Sequence, residues 1–372
     1  MAIELFEPYR IGKLELRNRF VRSATWDATA DDSGRVTDTS VALYGNLGRG
    51  EIGLIVSGYA YISLIGQAAV GQYSVHTDDM IPGLSRLVQA AHQGGAKIAL
   101  QIVHAGINDR LLSSRKGITL LAVSKRPEIN RPHRELTDEE IEEIISDFAA
   151  AALRGREAGF DAVQLHGAHA YLMSQIQSPL YNLRRDRWGG SAENRRRFHL
   201  EVIRKIHQVV GTDFPLMIKF GVQDDREGGL SLSEGLETAR QMVAEGIDAI
   251  EVSAGVGNPV LTMRKGESPR AYYRERAAAV KRMVTVPVIL VGGIRSFEMA
   301  KDIVSSGDTD LISMCRPFIR EPDLVARWQR GDTAPAKCIS CNKCMARMAR
   351  GELLGPECFE EHRPRGEVVA GI

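Results

Sequence analysis

The sequence predicts an α/β protein, a (β/α)8 TIM barrel over residues 1–330 with a short cysteine-bearing extension over residues 331–372 packed on it. Short apolar runs rich in branched residues alternate with longer amphipathic segments, which is typical of parallel strands joined by helices. Eight such runs favour a closed barrel over an open doubly wound sheet, which usually has fewer strands. Beyond Arg330 the alternation stops and a cysteine-rich segment follows.

The elements can be placed in order along the chain. The eight predicted strands are residues 20–23, 53–57, 97–102, 162–166, 215–220, 249–253, 288–292 and 311–315. The spacings in Thr137-Asp-Glu-Glu140 and Ser231-Leu-Ser-Glu234 predict capping boxes at two helix starts. Gly159 and Gly246 are expected near helix ends. Two long connections, residues 106–136 and 254–269, follow strand ends and are either lids and substrate walls or packing and oligomer contacts.

The composition excludes several classes of function. A chain of 372 residues with 44% hydrophobic content can bury a large core within one barrel. A net charge of +1 gives no electrostatic reason to expect nucleic acid or an acidic membrane as partner. No apolar run has the length of a membrane span, the N-terminus lacks a signal pattern, and the five cysteines do not resemble a secreted disulfide framework. The sequence therefore predicts a cytoplasmic protein.

Polar residues lie near the carboxyl ends of several predicted strands, where barrel proteins build their sites. They are Gln101, His166, Lys219, Ser253 and Arg295. A buried polar group without a partner costs about 1–3 kcal/mol, so several that converge at one mouth indicate a polar ligand. Each of them alone could be a structural residue whose polar atoms are hydrogen-bonded within the protein.

The run His166-Gly-Ala-His169-Ala-Tyr171 places two imidazoles and a phenol just past a buried strand. Such a set can hold a carbonyl oxygen and deliver a proton beside it. The alternative is a packing role for both histidines.

Two further runs indicate a phosphate site. Val291-Gly-Gly-Ile-Arg295 follows the seventh strand and precedes a helix, and Met314-Cys315-Arg316-Pro317 follows the eighth. Glycines and helix-start N–H groups suit a phosphate, and barrels often bind one after these two strands. A tight turn is the alternative for the glycine pair.

The chain resembles the old yellow enzyme family of FMN-dependent oxidoreductases, from Leu5 to about Cys358. The resemblance rests on the run from His166 through Ser178-Pro179 to Gly189-Gly190-Ser191-Ala-Glu193-Asn194-Arg195, with support from Asn18-Arg19-Phe20 and Gln101-Ile-Val-His104-Ala-Gly106. It implies an eight-stranded barrel with FMN across its mouth and NAD(P)H as electron donor. The residues that it places around FMN are Ser23, Ala24, Thr25, Trp26, Gly58, Gln101, Lys219, Gly292, Gly293, Met314, Cys315 and Arg316.

The resemblance also implies roles and an activity. His166 and His169 would bind a substrate carbonyl oxygen, Tyr171 would donate the proton, and the enzyme would reduce the C=C bond of an enone or enoyl substrate (ene-reductase type). One alternative is a dehydrogenase or demethylase that passes electrons through an iron–sulfur cluster to a partner protein. Another is a non-enzymatic flavin-binding or sensor barrel. A homo-oligomer is a further expectation from the resemblance.

Four positions depart from the family pattern. Trp26 stands where many relatives have Thr or Cys, and Lys219 stands where Arg is commoner, which keeps the charge without the planar fork. Ile107 replaces a frequent Arg. Residues 253–258 contain no histidine, unlike the bacterial 2,4-dienoyl-CoA reductases.

The extension carries Cys338, Cys341, Cys344 and Cys358, dense enough to bind a metal centre. It resembles the [4Fe-4S] segment of the 2,4-dienoyl-CoA reductase and trimethylamine dehydrogenase branch, with one gap shorter and the last gap longer. The alternatives are a [4Fe-4S] cluster, structural zinc and unliganded thiols. Cys315, by contrast, is expected to be a packed core thiol.

Overall fold

The computed structural model describes residues 5–108, 119–257, 270–344, 348, 350 and 355–360. Its strands are β1 (Tyr9–Ile11), β2 (Leu14–Leu16), β3 (Phe20–Arg22), β4 (Leu54–Val56), β5 (Ala60–Tyr61), β6 (Lys97–Val103), β7 (Leu120–Ala122), β8 (His133–Glu135), β9 (Ala162–Gly167), β10 (Leu216–Phe220), β11 (Ala249–Val252), β12 (Val288–Val291) and β13 (Leu311–Met314). Its helices are α1 (Asp38–Arg49), α2 (Ile81–Gln93), α3 (Asp138–Glu157), α4 (Leu172–Gln177), α5 (Ala192–Val210), α6 (Leu232–Ala244), α7 (Arg274–Met283), α8 (Phe297–Ser305), α9 (Arg316–Arg320) and α10 (Leu324–Gln329). Residues 109–118 and 258–269, parts of the two long connections, lie outside the described residues.

Eight parallel strands form a closed barrel. Hydrogen-bonded neighbours follow the order β4–β3–β13–β12–β11–β10–β9–β6, and β6 pairs again with β4. Each of the eight predicted runs overlaps one of these strands, and β6 and β9 extend one residue beyond the prediction, so the predicted TIM barrel is confirmed. The strands read as continuous apolar runs because the helices cover the outer face while side chains fill the inside.

The hairpin of β1 and β2 closes the amino-terminal end of the barrel. Its side chains Ile11, Leu14 and Leu16 are buried. They pack against an apolar layer from the barrel strands that includes Val21, Leu54, Val56, Ala99, Ala162, Met217, Ala249, Ile289 and Leu311. Since successive residues on one face of a strand are two apart, the next inward side chains lie one layer closer to the opposite, carboxyl-terminal mouth.

The two predicted helix starts differ in their capping. At α3 the Thr137 hydroxyl accepts from the Glu140 N–H while the Glu140 carboxylate accepts from the Thr137 N–H, which is the predicted capping box. At α6 Ser231 caps the Glu234 N–H, but the Glu234 carboxylate accepts instead from Arg195 at 2.8 Å. The second capping box is therefore only half formed, because a tertiary ion pair takes the carboxylate.

The segment after α10 returns to the barrel near the end of β12. The Ala336 N–H donates to the Arg295 carbonyl at 2.8 Å, and the Arg295 guanidinium donates to the Cys338 carbonyl at 2.9 Å. Within the described residues, no helix has both the length and the apolar character that crossing a bilayer requires.

A buried histidine in the core has no role in the site described below. His199 on α5 has no exposed surface and lies between the rings of Phe198 and Phe220, each with its centroid 6.3 Å away. Neither ring nitrogen has a hydrogen-bond partner among the described residues. Burial lowers the pKa of His199 to about 3.

We predict that His199→Leu makes the protein less sensitive to acid. Below pH 6.5 the unfolded chain binds a proton at His199 that the folded chain does not, so stability is lost as pH falls toward 3. The difference in unfolding free energy between pH 7.5 and pH 5 should shrink by about 2 kcal/mol in the variant. Urea denaturation at the two pH values measures it, and an unchanged difference would contradict the prediction.

Candidate active site

A buried polar layer lies directly above the apolar layer, on the side of the carboxyl-terminal mouth. It consists of Ser23, Gln101, Gln164, Lys219, Glu251 and Ser313, each at most 4% exposed and two residues after a member of the apolar layer. Gln101 Nε2 donates to Gln164 Oε1 at 2.7 Å, and Lys219 Nζ donates to Ser23 Oγ at 2.7 Å. The structure therefore brings together three residues that the sequence assigned to the flavin, namely Gln101, Lys219 and Ser23.

The polar layer contains three residues that the sequence reasoning missed. Gln164, Glu251 and Ser313 stand inside runs that otherwise read as strand core. Their signal was available, because a glutamate within Ala249–Val252 is too costly to bury without partners.

His166, His169 and Tyr171 form one cluster at the mouth. The ring centroids of His166 and His169 are 5.0 Å apart, and those of His166 and Tyr171 are 4.8 Å apart, both in edge-to-face contact. His169 Nε2 is 2.8 Å from Ser253 Oγ, while His166 Nδ1 is buried without a hydrogen-bond partner in the described part of the chain. The cluster has the polar atoms to bind a small ligand.

The backbone that carries the cluster is strained. His169 and Ala170 have φ of 59° and 58°, a left-handed conformation that costs about 1–2 kcal/mol per non-glycine residue. The turn is held by Asn108 Nδ2 and Gln175 Nε2, which donate to the Ala170 carbonyl at 2.7 and 2.5 Å. Backbone strain that surrounding hydrogen bonds hold in place is common where a side chain must be directed at a ligand.

Both histidines are kept neutral. Burial is the largest cause that lowers the pKa of His166 well below its usual value, followed by His169 and Lys219. Burial and then Lys219 lower the pKa of His169 to about 3. Each imidazole therefore offers one N–H donor without a positive charge of its own near neutral pH.

Tyr59 is a second phenol of this cluster, and the sequence reasoning missed it. Its ring centroid lies 5.7 Å from that of Tyr171 and 6.1 Å from that of His166, and the two phenol oxygens are 3.5 Å apart. Tyr59 follows β4, three residues beyond the last strand residue, Val56.

The loop after β3 lies beside β13. The Ser23 N–H donates to the Met314 carbonyl at 2.8 Å, and Thr25 Oγ1 lies 2.8 Å from Cys315 Sγ. Cys315 is thus partly buried in a polar contact. Ala24 packs against the apolar layer, and the Trp26 indole donates to the Val70 carbonyl at 2.9 Å.

Gly58 faces protein atoms. A Cβ atom there would lie 2.6 Å from Asp27 Oδ2 and 3.0 Å from the Thr25 carbonyl oxygen. Asp27 also accepts from the Tyr44 phenol at 2.6 Å, and that phenol in turn accepts from the Gly58 N–H at 2.6 Å. The packing of this buried network requires a glycine at this position.

Gly292 and Gly293 have φ of 113° and 80° and precede α8, whose N-cap is Ser296. A Cβ on Gly293 would overlap the Arg270 carbonyl oxygen, so packing also requires a glycine there. The Tyr272 hydroxyl and Arg295 Nε are buried next to this turn without hydrogen-bond partners in the described ranges. These donors suit an anion, and the sequence reasoning missed Tyr272.

The four cysteines of the extension line one cavity. Arg316 lines the same cavity and donates to Asn342, and Arg320 donates to Cys358 Sγ at 3.4 Å. Burial raises the pKa of Cys338. None of the five cysteines, all of them described, forms a disulfide. Among the described residues no three His, Cys, Asp or Glu side chains are grouped so that they could hold a metal ion.

The residues at the mouth fit a flavin nucleotide. Gln101 Oε1 is a buried acceptor without a partner among the described residues, as a ring N–H such as flavin N3–H requires. Lys219 supplies a buried positive charge beside it, and Tyr272 and Arg295 supply donors for a phosphate. The structure thus offers an acceptor, a cation and anion-binding donors.

The family model described as the NADH:flavin oxidoreductase / NADH oxidase family matches residues 4–334. The chain therefore belongs to this family of flavin-dependent oxidoreductases, and the predicted membership of the old yellow enzyme family is confirmed.

Individual relatives support the assignment. The chain is 37% identical over 346 residues to an NADH oxidase of Thermoanaerobacter brockii, covering 91% of this chain and 52% of that protein. It is 32% identical over 325 residues to an NADPH dehydrogenase of Geobacillus sp. (strain WCH70), covering 87% and 92%. A solved 2-naphthoyl-CoA reductase superposes with a TM-score of 0.87 at 27% identity, covering 98% of this chain and 58% of that one. The chain spans about half the length of the first curated relatives that it matches.

We predict that Gly58→Ala destabilises the protein by about 1–3 kcal/mol, because the added methyl group overlaps Asp27 and Thr25. The matched control is Gly45→Ala on α1, where the nearest atom lies 3.5 Å from the added carbon and alanine is the better helix former. Thermal or urea denaturation compares the two variants. Equal stability of the two would contradict the packing role of Gly58.

Proposed function

We propose that the chain is an FMN-dependent enzyme that reduces the C=C bond of an α,β-unsaturated carbonyl compound with NADH or NADPH as electron donor. Bound FMN, held by residues that include Gln101 and Lys219, would supply the hydride chemistry that couples oxidation of the nicotinamide to reduction of the alkene at its β-carbon. The observation that carries this proposal is the cluster of His166, His169 and Tyr171 at the same mouth as Gln101 and Lys219.

His166 and His169 would hold the carbonyl oxygen of the substrate. As neutral donors in one cluster, they would stabilise the negative charge that develops on that oxygen more than they stabilise the neutral carbonyl. Ser253 holds His169 by the hydrogen bond at Nε2, which restrains the ring. The strained turn at His169 keeps the two imidazoles together before a substrate arrives.

Tyr171 would deliver the proton to the α-carbon of the same substrate. Its phenol lies against the His166 ring, so a carbonyl held by the histidines would have its α-carbon on the side of the phenol. The hydride at the β-carbon and this proton together add two hydrogen atoms across the double bond. Tyr59, whose oxygen is 3.5 Å from that of Tyr171, can return a proton to it.

The direct test is an anaerobic stopped-flow experiment. The bound flavin is reduced with NADH or NADPH in separate runs and then mixed with enones or with enoyl thioesters. The thioesters belong in the series because a structural relative is named 2-naphthoyl-CoA reductase. The proposal expects saturable reoxidation of the flavin by at least one class. Purified protein without flavin, or flavin that neither class reoxidises, would contradict it.

We predict that Tyr171→Phe slows flavin reoxidation by the alkene about 10²–10⁴-fold, the usual contribution of a general acid, while reduction by the nicotinamide is unchanged. Tyr61→Phe is the matched control, because that phenol donates to the Ser33 carbonyl and its ring packs against His76. Single-turnover absorbance measurements separate the two half-reactions. Unchanged reoxidation in Tyr171→Phe and in His166→Ala would favour the non-enzymatic flavin-binding barrel instead.

A second candidate function is supported by the cavity of the extension. We propose that Cys338, Cys341, Cys344 and Cys358 hold a [4Fe-4S] cluster, which would let a dehydrogenase or demethylase pass electrons to a partner protein. All four thiols line one cavity, and four cysteine thiolates are the usual ligand set of a [4Fe-4S] cluster. The structural match to 2-naphthoyl-CoA reductase spans 98% of the chain.

We predict that Cys341→Ser and Cys344→Ser each lower the iron and acid-labile sulfide content of anaerobically purified protein to below half of the unmodified value, because a cubane loses one of its four ligands. Cys315→Ser, outside the cavity, is the matched control and should leave both contents unchanged. Zinc without sulfide would support a structural metal site, and neither metal would support unliganded thiols. The cytoplasmic location and the homo-oligomer stay predictions.

A further inference from the structure

Glu251 stands at the centre of the polar layer and accepts from every neighbour. Its Oε1 accepts from Ser23 Oγ at 2.7 Å and Ser313 Oγ at 2.8 Å, and its Oε2 accepts from Gln164 Nε2 at 2.9 Å. Lys219 Nζ lies 3.3 Å from Oε1. Because these neighbours all donate, both oxygens of Glu251 act as hydrogen-bond acceptors.

The carboxylate fixes the direction of a chain of amide hydrogen bonds. Only the amide nitrogen of Gln164 can face Glu251, so Gln164 Oε1 must face the other way, where it accepts from Gln101 Nε2 at 2.7 Å. That bond turns Gln101 Oε1 outward, where it is buried and has no partner among the described residues. Glu251 therefore determines, through Gln164, that Gln101 offers a ligand its amide oxygen, which is an acceptor.

The same carboxylate offsets the charge of Lys219. The two side chains are 3% and 0% exposed, so solvent screens their interaction weakly. Ser23 bridges them, since its hydroxyl accepts from Lys219 and donates to Glu251. A group bound above Lys219 would experience a cation whose charge is largely compensated.

We propose that Glu251 is a positioning residue of the flavin site, which orients Gln101 as a hydrogen-bond acceptor for the ring N–H and keeps Lys219 from over-stabilising the anionic reduced flavin. This inference rests on the proposed binding of FMN at the mouth. Glu251, deep in the barrel, would then influence both the affinity for the cofactor and the reduction potential of the bound cofactor.

The test is Glu251→Gln, which keeps the shape and removes the charge. The new carboxamide can donate to Gln164, which reverses the amide chain and turns the Gln101 amide nitrogen toward the ring N–H. We expect oxidised FMN, added to flavin-free protein, to bind at least tenfold more weakly, as measured by fluorescence titration. The ratio of the affinities for reduced and oxidised FMN should rise at least tenfold, which for a two-electron couple corresponds to about 30 mV upward in midpoint potential.

Three further variants separate the two effects. Ser313→Ala removes one hydrogen bond to the same carboxylate oxygen without changing charge, and should leave the potential near that of the unmodified protein. Gln164→Met interrupts the amide chain but leaves the ion pair, so FMN affinity should fall while the potential changes little. Lys219→Met should lower the potential, and the double variant with Glu251→Gln should return toward the original value.

The outcomes are distinct. If Glu251→Gln leaves the FMN affinity and the reduction potential as in the unmodified protein, the inference is overturned. Should Glu251→Gln not fold, the same result in both Gln164→Met and Lys219→Met overturns it. If the unmodified protein binds no FMN, the flavin site itself fails and the variants carry no information about Glu251. Loss of affinity in Glu251→Gln with an unchanged potential would overturn the charge-compensation half alone.

Discussion

The site depends on one ion pair, Lys219 with Glu251, buried inside the mouth of a closed ring of strands. Removing two charges from water costs several kcal/mol per ion, which their attraction offsets only if hydrogen bonds satisfy the remaining atoms. Ser23, Ser313 and Gln164 provide those bonds, and they come from strands that meet only because the barrel closes. The apolar layer beneath excludes water from one side, so the polar layer can face a ligand only at the carboxyl-terminal mouth.

One side of the mouth is charged and the other is neutral. The polar layer contains formal charges, whereas the histidine cluster is neutral because burial and the nearby Lys219 oppose protonation of His166 and His169. Neutral donors bind an oxygen on which negative charge develops. Once that charge is gone, they release the oxygen more readily than cations would. The strained turn at His169 and Ala170 shows that the chain tolerates a local cost to keep this geometry.

The sequence predicted the strands because branched apolar runs mark a barrel whose strands are buried on both faces, and it placed Gln101, Lys219 and His166 at strand ends. Glu251 and Gln164 were missed although a glutamate within a strand run was a signal, and their partners could not be predicted because these depend on pairing with strands distant in sequence. Gly58 and Gly293 were assigned to a ligand, and the structure adds that Asp27 and Arg270 fill the space that a Cβ atom would need. Likewise Glu234, half of a predicted capping box, bonds Arg195 on another helix. Local patterns specified the elements, whereas these side-chain partners depend on tertiary contacts.

The most direct measurement of the central claim is a crystal structure of the protein purified with its own chromophore. The account predicts one FMN at the carboxyl-terminal mouth, with its ring N–H on Gln101 Oε1, its pyrimidine edge beside Lys219 and the rings of His166 and His169 above it. A flavin bound elsewhere, or a mouth closed over the polar layer by protein side chains, would contradict the account.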